Sequence, residues 1–340
     1  MRRSEPPASD SFVRNLLSLV CALLAVISMA SLLFQVTTAI AQTFPHRPIK
    51  LIVGYPPGGS GDFVSRVTAE AMSKELGVAV LVENRPGAAG VIASDAVAKS
   101  VADGYTILNA GTPAVLKALY KKLPYNPDTD FTPISLAAVG AMIICVNNDL
   151  PVKSLGDLVA YAKANPGKLF SAASGNGSAP HLASARFEVV TGAKFTTVQY
   201  KGGGPAAVSL MAGETQVMFA TAPTVLGFIK AGRMRAIALT TAAPSPSIAG
   251  IAGAKQAGLE GYDEDYSFGL YAPANTPADV VTRLHEAASR GLSRQEVRDK
   301  IASQGMDATP SASPQAFRDA LQAESKNVEQ RIAQTGARLE

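Results

Sequence analysis

Ile49-Lys50-Leu51-Ile52-Val53-Gly54-Tyr55-Pro56-Pro57-Gly58-Gly59-Ser60-Gly61-Asp62 joins an apolar, β-branched run to a glycine-rich turn. The run 49–55 is bounded by Pro48 and Pro56 and is too short for a helix, so it reads as a buried strand. After the turn, Phe63, Val67, Ala71 and Leu76 recur at helical spacing and stop at Gly77, predicting a helix over 62–76 with a glycine C-cap. A strand that passes through glycines into a helix leaves backbone N–H groups unpaired at the helix start, where the helix dipole also favours negative charge. Gly175-Asn176-Gly177-Ser178-Ala179-Pro180 and Lys201-Gly202-Gly203-Gly204-Pro205 repeat the pattern, giving three candidate anion-binding turns.

Working outward, strands at 78–82 and 105–109 flank a turn at 84–87 and a helix at 90–100. A second alternating series follows: helix 154–164, strand 168–173, helix 181–191, strand 196–200, helix 206–212, strand 216–220, helix 225–231 and strand 234–240. Strand 267–272 leads to helical segments at 276–290, 293–304 and 314–333. Alternation of this kind specifies α/β lobes, each a mostly parallel sheet flanked by helices. The expected division is 44–143 plus 266–340 for one lobe and 144–265 for the other, with a cleft between them.

The 340 residues are 47% hydrophobic and 17% charged, with a net charge of +4, which is the balance of a globular protein. No Lys/Arg block occurs, aromatics are 6% and Trp is absent, so nucleic acid is not expected as a partner. Arg2, Arg3 and Arg14 precede the apolar run 16–33, and Ala39-Ile40-Ala41 offers small residues for cleavage, so 1–41 reads as an export signal rather than a membrane anchor. Cys145, inside an apolar run, reads as a buried hydrophobe.

In open α/β sheets, ligands sit at the carboxyl ends of strands, where all three glycine turns lie. None has the Gly-Lys-Ser/Thr ending of a phosphate loop or the spacing of a dinucleotide fingerprint, so no cofactor is expected. Asp62 reads as the cap of its helix, with ligand contact as the alternative. Tyr55 and Tyr200 end strands beside glycine turns and either wall the cleft or pack beneath the turns. With 3 His and 2 Cys in the chain, no catalytic or metal set assembles in sequence, and His181 reads as a structural hydrogen bonder. Asp263-Glu264-Asp265 lacks calcium-loop spacing and reads as a solvated loop.

Several ordered motifs together resemble the periplasmic solute receptors of tripartite tricarboxylate transporters, the Bug receptors. They include Pro56-Pro57-Gly58-Gly59-Ser60-Gly61-Asp62, Val82-Glu83-Asn84-Arg85-Pro86-Gly87, Ala102-Asp103-Gly104-Tyr105, Ser174-Gly175-Asn176-Gly177-Ser178-Ala179-Pro180-His181 and Tyr200-Lys201-Gly202. The resemblance implies a two-lobed venus-flytrap fold of periplasmic-binding-protein type II, closing on a small organic carboxylate and passing it to membrane permease subunits. It also implies that Pro57, Gly58, Gly59, Ser60 and Asp62, together with Ser174, Gly175, Asn176, Gly177 and Ser178, hold carboxylate oxygens, and that the loop of Gly111, Thr112 and Pro113 joins them. Tyr55, His181, Tyr200, Ala220 and Thr221 complete the expected lining.

Three departures bear on the ligand. Ala220-Thr221 stands where many relatives carry Asp-Asn, Tyr55 where Phe is usual and Ser267 where Trp is usual, so a carboxylate without an amino group and with an aromatic or bulky body is expected. The expectation is a monomeric periplasmic binding protein without enzymatic activity. The alternatives are a secreted hydrolase or lyase using His181 with Ser178 or Asp62, and a receptor feeding a sensor kinase.

Overall fold

The opening stretch forms the strand and helix its pattern demands. Ile49–Val53 (β1) is buried at every position but Lys50, and Ser60–Leu76 (α1) ends on Gly77 at φ 73°. The computed structural model describes residues 17–24 and 43–336; the rest of the expected export signal 1–41 lies outside the described residues. Phe44 onward forms one compact unit. No helix among the described residues is long and apolar enough to cross a membrane.

β1 pairs in parallel with Val80–Asn84 (β2) and Thr106–Ala110 (β3), with α1 and Val91–Ala98 (α2) as crossovers. Pro113–Leu119 (α3), a helix not expected from the sequence, leads to Phe131–Val146 (β4). Only the apolar run near 141–146 announced this strand; Pro133 and Gly140 disguised the rest. Pro133 is accommodated where the pairing shifts register, and Gly140 is needed because a Cβ there would lie 2.7 Å from Cζ of Tyr266.

The second α/β series follows: Leu155–Ala164 (α4), Phe170–Ala173 (β5), Ala179–Thr191 (α5), Thr196–Gln199 (β6), Gly203–Ala212 (α6), Val217–Thr221 (β7), Ala222–Lys230 (α7) and Arg235–Leu239 (β8). Asp265–Pro273 (β9) then returns, followed by Ala278–Ser293 (α8), Gln295–Ala302 (α9), Met306–Ala308 (β10) and Pro314–Thr335 (α10). β5 pairs in parallel with β6 and β7.

The strand order is β2-β1-β3-β9-β4-β7-β5-β6, with β10 and β8 also pairing β4. β4 pairs β9 over its first part, from Phe131 to Ala141, and β7 and β8 over its last five residues, Met142 to Val146. One strand thus serves two half-sheets, the architecture of a two-lobed α/β fold. The sheet is mixed where a mostly parallel one was expected: the chain leaves along β4 and returns along β9, and an outgoing and returning pair can only lie antiparallel.

Helix starts follow local chemistry. Ser154 and Asp157 form a reciprocal capping box on α4, and the Ser313 hydroxyl accepts the Ala316 N–H on α10. α10 closes over Leu119 with Val328 and Ile332, and Leu182 of α5 packs against the same cluster, so the tail helix touches elements of both half-sheets. Cys145 is fully buried, and burial pushes its thiol pKa well up, as expected of an inert core residue.

Candidate functional site

The turn 56–60 is held open by Asp62. The carboxylate is 5% exposed and lies at the third helical position of α1. Oδ2 accepts the Gly58 N–H at 3.1 Å, and Arg66 grips both oxygens through Nε at 3.0 Å and Nη2 at 2.9 Å. Asn84 donates to Oδ1 at 2.9 Å and to the Tyr55 carbonyl at 3.0 Å, so β2 is tied to the turn. Burial alone would raise the Asp62 carboxyl, but the hydrogen bonds from Arg66, Gly58 and Asn84 outweigh it and hold the group below the usual carboxylate range. Asp62 is therefore occupied in shaping the turn.

Tyr55 packs and walls at once. Its hydroxyl accepts the Gly111 N–H at 3.1 Å, its ring meets Phe268 edge-on at 5.5 Å, and its flank lies so close to Gly61 that a Cβ there would sit 2.3 Å from Cδ2. Burial raises its pKa against the lowering effect of Gly111, so the hydroxyl stays protonated.

In the second turn, Gly175 at φ 123° and Gly177 at φ 73° adopt backbone angles that disfavour side chains. Ser178 caps α5 by accepting the His181 N–H at 3.4 Å, and its Oγ lies 3.2 Å from that of Ser174. His181 Nδ1 accepts the Gly177 N–H at 3.2 Å, and burial lowers the imidazole pKa, so the neutral ring braces the loop. This ring nitrogen is spent on Gly177 and makes no hydrogen bond to the Ser178 hydroxyl, which is not the arrangement of an activated nucleophile.

The turns meet at a cavity of about 780 Å³ between the half-sheets. Of the expected residues, Tyr55, Gly59, Ser60, Thr112, Ser174, Gly175, Asn176, Gly177, Ser178, Tyr200 and Thr221 line it. Pro57, Gly58, Asp62 and His181 lie outside the lining, with Asp62 and His181 bracing the turns from behind it, and Ala220 is fully buried in the second half-sheet's core. Gly202 of the third candidate turn also lines the cavity, with Lys201 and Gly203.

Among the described residues, the N–H groups of Gly59, Ser60, Gly175, Asn176, Gly202 and Gly203 have no protein acceptor. Six such donors around one cavity make a wall that complements an anion without a dedicated arginine.

Sequence reasoning missed part of the lining. The segment 86–90 contributes a turn in which Gly87, Ala88, Ala89 and Gly90 all have positive φ. Alanine does not announce a left-handed backbone, so only the glycines were a signal. Leu182, Val328 and Ile332 supply an apolar stretch. Glu264 and the exposed Asp265, from the acidic stretch expected in a solvated loop, also line the cavity, with Glu324 and Arg331 of α10. Glu264 lies 3.8 Å from Arg186 and 3.6 Å from Arg331. Burial raises the carboxyls of Glu264 and Glu324. Among the described residues, no group of three His, Cys, Asp or Glu is placed to hold a metal ion.

Two half-sheets sharing their crossing strands around a donor-lined cleft define a solute receptor of the periplasmic-binding-protein fold. A model described as the tripartite tricarboxylate transporter family receptor matches residues 64–336, and the chain belongs to that family. It is 35% identical over 303 residues to the protein BugT of Bordetella pertussis, covering 88% of this chain and 92% of that one. A structure of an R. palustris protein with adipate is similar at TM-score 0.81 and 32% identity, covering 86% of this chain and 98% of its own. The periplasmic binding protein BugD gives 0.80 and 29%, covering 87% and 100%. The family is one of binding receptors, not of enzymes.

Proposed function

We propose that this protein is an exported receptor that captures a small organic carboxylate in the cleft and delivers it, by closure of the two lobes, to the membrane permease of a tripartite tricarboxylate-type transporter. The observation that carries this reading is the set of six unpaired backbone donors around one cavity. Six charge-assisted hydrogen bonds at roughly 1.5–3 kcal/mol each supply roughly 9–18 kcal/mol, which reaches the ~8 kcal/mol of micromolar affinity in the upper part of that range once ordering costs are subtracted. The adipate bound by a relative of 32% identity supports the same ligand class. We assign 44–143 and 266–340 to one lobe and 144–265 to the other, supported by the change of β4's partners after Ala141 and the start of β9 at Asp265. We place it in the periplasm, exported by removal of 1–41.

A thermal-shift screen against mono-, di- and tricarboxylates tests the ligand class. A ligand at 100 times its dissociation constant stabilises by about 2.7 kcal/mol, a rise of roughly 5 °C for a chain of this size. If no carboxylate raises the melting temperature, the reading is wrong.

A further inference from the structure

The cavity lining carries two opposite chemistries. The glycine turns offer N–H groups, and beside them Lys201 makes no ion pair among the described residues. Glu324 of α10 and Asp265 of β9 line the same cavity, and neither makes an ion pair among the described residues. The other two lining cations, Arg186 and Arg331, are both drawn to Glu264. Thr112, whose hydroxyl oxygen lies 3.4 Å from that of Ser267, lines the cavity with Glu324. Leu116, Leu182, Val328 and Ile332 make apolar lining.

A ligand that satisfies all three surfaces has a carboxylate head, an apolar body and a far end that gives a hydrogen bond. We propose that Glu324 is a specificity-determining residue of the cleft, selecting carboxylates with a distal hydroxyl or ammonium donor over acids that carry a second ionised carboxylate there. This rests on the carboxylate reading above. A doubly ionised acid would bring its second charge beside Glu324, with Asp265 close by and Arg331 already engaged by Glu264. Burial and the charge of Asp265 raise the Glu324 carboxyl while the charge of Arg331 opposes them, and where Glu324 is ionised a second ligand anion adds repulsion that a donor relieves. The acidic group missing at Ala220-Thr221 is thus supplied from the tail helix and β9.

The test is titration calorimetry at pH 8 with ω-hydroxy, ω-amino and ω-carboxylate straight-chain acids of four to eight carbons. At matched length, the donor-ended acids bind the wild type at least about tenfold more tightly than the dicarboxylate, and Glu324→Gln shifts that ratio at least about tenfold toward the dicarboxylate. The wild-type ranking stands by itself if the variant folds poorly. Equal affinities at matched length, or a ratio unchanged in Glu324→Gln, overturn the role of Glu324 while leaving the carboxylate reading intact. Failure of every acid in the series together with failure of the broader carboxylate screen defeats both.

Discussion

Replacing Asp62 with alanine removes the acceptor at the centre of the first turn. The carboxylate is 5% exposed and takes donors from Gly58, Asn84 and, twice, Arg66. Hydrogen bonds to a buried charged acceptor are each worth about 1.5–3 kcal/mol, but the Arg66 pair is screened by solvent and adds little. Gly58 and Asn84 keep partial access to water, which holds the total to about 3 kcal/mol of lost stability and a fall in Tm of roughly 5 °C. Because the folded carboxyl is held below its ordinary value, its contribution is full above the unfolded pKa of about 3.9 and is lost as pH falls through the folded value. The gap between wild type and Asp62→Ala in calorimetric unfolding therefore closes under strongly acid conditions and stays constant from pH 5 to 8. A variant within 1 °C of wild type at neutral pH, or a gap that widens in acid, refutes the assignment.

Gly61→Ala drives a Cβ to 2.3 Å from the Tyr55 ring, which is pinned by Gly111 and Phe268, and is expected to cost about 1–3 kcal/mol in denaturant unfolding. Gly175→Ala forces a side chain onto φ 123° in a donor-bearing turn; calorimetric titration should show ligand affinity reduced about tenfold, with a Tm loss of a few degrees. The lowered pKa of half-buried His181 means that stability is constant above the unfolded value of about 6.5 and falls as pH drops below it; in His181→Asn this part of the acid slope should vanish in urea titrations.

The glycine turns were legible because their signal is local: apolar run, glycines, helical periodicity. The same holds for Gly77 as the stop of α1 and for Cys145 as a core residue. The long strand β4 was not, because Pro133 and Gly140 break its apolar pattern and are explained only by their partner β9. Glu324 and Arg331 lie on a tail helix that reads as amphipathic, and nothing local reveals that it closes over α3 and α5 at the cleft. Asp62 was legible as a polar residue of the helix start but not in its role: Gly59 is the N-cap, without a side-chain cap, and the Asp62 carboxylate instead reaches back to Gly58 and sideways to Asn84, which required the fold. The sheet's mixed direction depends on where the chain crosses and returns, a property of topology that no window of residues carries.

The central claim is that backbone donors of the glycine turns hold an ionised carboxylate. The direct measurement is titration calorimetry of the purified protein with the best carboxylate from the screen and with its uncharged methyl ester. The account predicts micromolar or tighter one-to-one binding of the acid and at least about a hundredfold weaker binding of the ester, since loss of the charge forfeits two or more charge-assisted hydrogen bonds. Equal affinity for acid and ester would contradict it.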